Sequence, residues 1–175
     1  SFEPVGSVFE ELQSNAGNDP KWICYNIALS DESLKKEINV YAGTQFCSFL
    51  EISDYARKTW DEVATASRET VTTVRLDDVF TELKNKVQCH NFYLKLDTQG
   101  YDLNVFRGAA ESLRHIPAMQ SELSLISVYD GMQPSFGGIV SFRDAGFCIS
   151  GMFPINVEKS LAVIEYDCVL VKRDV

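Results

Sequence analysis

Two spacings of apolar residues alternate along the chain. Short apolar runs bounded by turn residues predict strands. "WICYNI" (Trp22 to Ile27) has the pattern of a buried parallel strand, and "FYLKL" (Phe92 to Leu96) and "MQSELSLISV" (Met119 to Val128) are further strands. "TVTTVRL" (Thr70 to Leu76) has high β propensity, and "INVY" and "FCSFL" (Ile38 to Tyr41, Phe46 to Leu50) are candidate strands. "SFEP" at the start reads as the last step of a strand. Between these runs the spacing becomes helical. Ser7 and Glu10 fit a capping box, with Val8, Phe9 and Leu12 on one face and "NAGNDP" (Asn15 to Pro20) as the stop. Asp77 is placed to cap a short helix carrying Val79, Phe80 and Leu83. Leu103, Phe106, Ala110 and Leu113 recur at helical intervals, and Ser135 to Gly146 forms a helix capped by Ser135. "FCISGMF" and "LAVIEYDCVLVKR" are joined by the short polar segment "PINVEKS", which predicts an antiparallel pair. Strands that alternate with helices and close on a hairpin predict an α/β layered fold with a mostly parallel sheet. The polar stretch Asp54 to Ser67 fits none of these patterns and reads as a mobile insert, either a lid or an oligomerisation element.

Composition narrows the partners. The chain of 175 residues suits one domain with a substantial core, and 45% hydrophobic with 23% charged residues is ordinary for a soluble protein. A formal net charge of −9 repels phosphate backbones, which argues against nucleic acid as a partner. No apolar run reaches the length of a membrane span, and "SFEPVG" lacks the pattern of a signal peptide. The five cysteines (Cys24, Cys47, Cys89, Cys148 and Cys168) are odd in number and widely spaced. They read as reduced core thiols of a cytoplasmic protein, without a disulfide framework or a metal site.

In parallel sheets, ligands bind beyond the carboxyl ends of the strands. That selects Glu3-Pro4, the segment Ala28 to Asp31, and the turn Asp97 to Tyr101. Glu3 suits either a ribose-binding carboxylate or an acid favoured by a helix N-terminus. Lys95 and Asp97 lie on the same side of their strand, as a structural ion pair, a catalytic pair or both. Asp97 or Thr98 could equally cap the helix that follows. Glu122 in "QSELS" is a possible third member. There is no Gly-x-Gly-x-x-Gly, P-loop or Gly-x-Ser-x-Gly, and His90 and His115 have no partner at metal-ligand spacing.

"FEP" followed by a helix, "NIALSD", "RLDD", "KLDTQGYDLNVFRGA" and "SELS" together resemble the FkbM-type methyltransferase family. The long motif is the most specific: a lysine, an apolar residue, an aspartate, an acid-or-Gln-Gly turn, and a helix ending in Gly-Ala. The resemblance implies a Rossmann-like class I methyltransferase three-layer sandwich and S-adenosylmethionine as methyl donor. By that resemblance Glu3 holds the ribose hydroxyls, Pro4 is also cofactor-binding, Ala28 and Leu29 lie against the adenine, and Asp97 faces the methionine end or the acceptor. The acceptor implied is an oxygen of a small molecule or sugar-type glycan, with Asp97 or Lys95 as base. The family's opening strand and glycine-rich turn are missing here, with the helix that follows them. The 175 residues are therefore expected to be the C-terminal part of a longer polypeptide and to bind the cofactor weakly or not at all on their own. The alternative is a non-catalytic methyltransferase-like domain that binds a ligand or partner. The loop Ser127 to Phe136, with Gly131 and Pro134, is a candidate acceptor-facing element.

Overall fold

The computed structural model describes residues 1–64, 66–133 and 135–173. In chain order the elements are α1 (Gly6–Ala16), β1 (Ala28–Leu29), β2 (Lys35–Tyr41), α2 (Asp54–Thr59), β3 (Ala66–Val74), α3 (Leu76–Val87), β4 (Tyr93–Leu96), α4 (Asp102–Arg107), β5 (Ala118–Ser124), α5 (Ser135–Asp144), β6 (Phe147–Val157) and β7 (Val163–Lys172). Single 3-10 turns lie at Thr44–Phe46, Asp61–Val63 and Ser112–His115.

The strands form two sheets, β1-β3-β2 and β4-β5-β7-β6. β1 runs parallel to β3 and β4 parallel to β5, while β2–β3, β5–β7 and β6–β7 are antiparallel. This corrects the expected three-layer sandwich on one mostly parallel sheet: the architecture is α/β, with two mixed sheets and few helices. The cause lies in the segment after β2. It supplies only the six-residue α2 in place of a crossover helix, so β3 returns antiparallel along all seven residues of β2, from Lys35↔Thr72 to Tyr41↔Ala66. "WICYNI" contributes a single parallel bridge, Phe2↔Tyr25, and "FCSFL" the last residue of a 3-10 turn and the bridge Asn39↔Ser48. The polar insert becomes α2, a 3-10 turn and the start of β3, with Thr65 outside the described residues. The predicted hairpin is present. β6 lies at the sheet's edge, where Pro154, which has no N–H to donate, is tolerated.

Two helix starts differ from the sequence pattern. Val5 is the N-cap of α1 and makes no side-chain cap, so Ser7 and Glu10 do not form a box. The free amides are met by acids instead, one local and one distant in sequence: Val5 N donates to Glu3 Oε1 (2.8 Å) and Gly6 N to Glu69 Oε1 (3.1 Å). Asp77 likewise does not cap α3, whose N-cap is Arg75. It accepts from the backbone N–H groups of Glu111 (3.1 Å) and Ser112 (2.8 Å), from Ser112 Oγ (2.7 Å) and from Arg75 (3.0 Å). Burial works to raise the Asp77 pKa, but these bonds and the Arg75 charge outweigh it, so the carboxyl titrates below the usual range. A depressed pKa contributes stability that is present above the unfolded value, near 3.9, and is lost as pH falls through the folded one. Asp77→Asn is therefore expected to lower stability at neutral pH and to flatten its decline below about pH 4. A series of urea melts from pH 7 to pH 3 checks this, and parallel slopes for the two proteins would refute it.

The larger core cluster includes Leu96, Leu103, Phe106, Met119, Phe142, Phe147 and Leu170, with Phe106 edge-on to Phe142 at 4.8 Å. The helical stripe predicted over Leu103 to Leu113 breaks at Gly108; Leu103, Phe106 and Leu113 are buried, the last on a 3-10 turn. A second cluster joins Tyr41, Phe46, Ile52, Val63, Val128, Tyr129 and Ile164. The thiols are all free; Cys168 alone is buried and Cys89 is exposed, so the reading of core thiols holds fully only for Cys168. Among the described residues, no helix is long and apolar enough to cross a membrane.

Candidate functional site

A cleft of about 590 Å³ opens between the N-terminal segment, the start of the first sheet and the carboxyl end of β4. Its lining includes Glu3, Pro4, Ala28, Leu29, Lys95 and Asp97, the six residues singled out from sequence, together with Gln99 and Tyr101. No strand pairs with the free edge of β4 among the described residues, and Leu94 and Leu96 of that strand form part of the wall.

Glu3 reaches the cleft from the Phe2↔Tyr25 bridge, where Glu3 N donates to Tyr25 O (3.0 Å). Its Oε1 is engaged by Val5 N, and Oε2 has no hydrogen-bond partner among the described residues. Burial, only partly offset by the Val5 bond, raises the Glu3 pKa, and Glu69 adds to the rise. Glu3 is thus both the helix-start acid and an acceptor with one oxygen to spare. Ala28 and Leu29 form β1, held against Thr73 and Val74 of β3. The loop after β1 is pressed onto the end of α4: a Cβ built on Gly108 would lie 1.9 Å from Ser30 O.

At the end of β4, Lys95 Nζ pairs with Asp97 Oδ2 at 2.8 Å, with both side chains about half exposed (54% and 48%). Such a pair contributes about 0–1 kcal/mol to stability, so its main effect is to orient the groups. The Asp97 bond raises the Lys95 pKa above its ordinary value, so this ammonium keeps its proton at neutral pH. The other Asp97 oxygen accepts from Gln99 Nε2 at 2.9 Å. Neither Asp97 nor Thr98 caps α4. The structural acid of the motif is Asp102: Oδ1 accepts from Thr98 N (2.9 Å) and Thr98 Oγ1, and Oδ2 from Ser121 Oγ (2.7 Å) and Glu122 N (3.0 Å). This carboxylate ties the turn after β4 to the middle of β5.

Three further residues shape the site: Gln99 and Tyr101 lie in the turn that the strand-end rule and the motif select, while Tyr129 has no signal in local sequence pattern. Gln99 lies in the turn with φ 54°, Tyr129 reaches it from a loop thirty residues on, and Tyr101 receives the Lys36 ammonium at 2.7 Å. The Lys36 ammonium also lies 5.0 Å from the Phe49 ring centroid and 4.6 Å from that of Tyr101, a cation–π arrangement that stiffens the apolar wall. Of the loop Ser127 to Phe136, Pro134 lies outside the described residues, and Met132 and Gln133 border a separate small cavity near Glu122.

A family model described as the methyltransferase FkbM domain matches residues 1–149. The chain belongs to the FkbM methyltransferase family, and methyl transfer is the chemistry that membership supports. No curated protein and no solved structure matches the chain.

Proposed function

We propose that the protein transfers a methyl group from S-adenosylmethionine to an oxygen of a small-molecule or sugar-type acceptor, using the cleft between Glu3 and Asp97. The observation that carries this reading is the spare oxygen of a half-buried Glu3 at one end of a cleft whose other end holds an oriented Lys95–Asp97 pair. The volume is that of a cofactor-sized site, and a carboxylate at a strand end suits the two hydroxyls of a ribose. Ala28, Leu29 and Phe49 offer apolar surface for a purine. The donor supplies an electrophilic methyl on a sulfonium. The protein's work is to align the acceptor hydroxyl and take up its proton. Lys95, held protonated, serves as a donor that fixes Asp97, which leaves Asp97 as the base.

Calorimetry with S-adenosylmethionine and the natural polypeptide tests this. Glu3→Gln keeps a carbonyl for Val5 N but loses the charge, and is expected to weaken binding about tenfold to hundredfold, the range for hydrogen bonds to a charged group. A folded wild-type protein that releases no heat with S-adenosylmethionine overturns the reading, as does a Glu3→Gln variant that binds like the wild type.

A further inference from the structure

We propose that Gln99 is the positioning residue of this site: its amide fixes the plane of the Asp97 carboxylate and links it to Glu122 behind the cleft wall. The proposal rests on the reading of Asp97 as the group that faces the reactants.

The backbone gives the first reason. Gln99 has φ 54°, a left-handed conformation that costs a residue with a Cβ roughly 1 kcal/mol or more, and glutamine lacks the short side chain that eases it for asparagine. Gly100 follows at φ 81°, with space for a Cβ closed by the Tyr129 ring at 3.1 Å and Leu50 at 3.3 Å. The surrounding structure therefore imposes this turn.

The side chain gives the second. Tyr129 is 1% exposed, and its single hydroxyl proton has two acceptors within reach, Gln99 Oε1 at 2.9 Å and the Phe46 carbonyl at 3.2 Å, of which Gln99 is the shorter contact. Ser48 Oγ donates to the Gln99 carbonyl at 2.7 Å. Nε2 faces the acids, where it donates to Asp97 Oδ1 at 2.9 Å and lies 3.5 Å from Glu122 Oε2, which leaves Oε1 toward the Tyr129 hydroxyl. The flipped amide would set an oxygen against two carboxyl groups. Since Lys95 holds the other Asp97 oxygen, the carboxylate is clamped at both ends.

Glu122 makes the link consequential. The charged or titratable groups acting on it are Lys95, Asp97, Asp102, Tyr129, Glu165 and Asp167. Burial first, then repulsion from Glu165, Asp97, Asp102 and Asp167, raises its pKa to about 8. A neutral Glu122 leaves the Gln99 amide to Asp97, consistent with its longer contact. An ionised Glu122 competes for the same NH₂ group.

The side-chain amide of Gln99 can be followed directly by ¹⁵N–¹H NMR in the natural polypeptide. Two distinct, slowly exchanging protons are expected, one shifted downfield by Asp97, with both signals moving through a midpoint near pH 8. Tyr129→Phe should abolish the downfield shift, a change that loss of packing alone does not produce in a protein whose other amides are unmoved. Gln99→Met should move the Asp97 carboxyl ¹³C signal at neutral pH while leaving S-adenosylmethionine affinity within about twofold of the wild type. A Gln99 amide that exchanges freely and ignores pH between 6 and 10 overturns the proposal, and so does a Gln99→Met variant whose Asp97 carboxyl signal is unmoved. A wild-type protein that does not bind the cofactor sinks the methyltransferase reading instead, while the NMR result still decides the Gln99 link.

Discussion

Asp102→Asn will destabilise the protein by about 1–3 kcal/mol and Asp102→Ala by roughly 3–5 kcal/mol, although this side chain does not line the cleft. Each Asp102 oxygen takes one hydroxyl and one backbone N–H. The hydroxyls of Thr98 and Ser121 can turn to other acceptors; the backbone groups of Thr98 and Glu122 have no such freedom. An asparagine offers one oxygen and one NH₂, so whichever way it points, one buried backbone donor faces another donor. Alanine abandons both and leaves a void. Urea unfolding at neutral pH measures the loss, and an asparagine variant within about 0.5 kcal/mol of the wild type would show that the two backbone bonds matter little.

Gly108→Ala is expected to cost about 3 kcal/mol or more, because the added methyl meets backbone rather than a movable side chain. The Cβ would fall 1.9 Å from Ser30 O and 2.8 Å from Ser30 C, so either α4 or the loop after β1 must move. That loop directly follows Ala28 and Leu29, so the same substitution should also weaken S-adenosylmethionine binding. Gly137→Ala is the control. It lies in α5 with nothing within 4 Å of the new methyl, and should stabilise the protein by about 0.5–1 kcal/mol. Thermal melts of the two variants should therefore move in opposite directions; equal shifts would show that the contact at Ser30 is soft.

The sequence was most legible at the strand ends. Glu3, Ala28, Leu29, Lys95 and Asp97 each follow or close an apolar run, and the cleft gathers them. The β6–β7 hairpin was legible for a similar local reason: its connection is too short for a crossover. The division into two sheets was not, because it depends on which distant strand β3 selects, and alternation within β3 says nothing about its partner. "FCSFL" illustrates the limit: as a candidate strand it keeps only the bridge at Ser48, while Phe46 ends a 3-10 turn and is buried in the second cluster. The Ser7–Glu10 box failed for the same kind of reason, since Glu69, sixty-three residues away, satisfies the amide at Gly6. Gln99 and Tyr129 lie thirty residues apart in two turns, and periodicity carries no information about such a pair.

Tyr129 belongs to the smaller core cluster, yet its hydroxyl orients the amide that holds Asp97. The geometry of the acid at the cleft mouth thus inherits the durability of that minor cluster, not of the larger one beneath β4 and β5. Partial opening of the loops around Phe46 and Tyr129 releases Gln99 while the four-stranded sheet keeps its packing. Heat tolerance of the site and heat tolerance of the chain are then separate properties. Better packing around Phe106 or Phe142 would raise the second and leave the first where it stands.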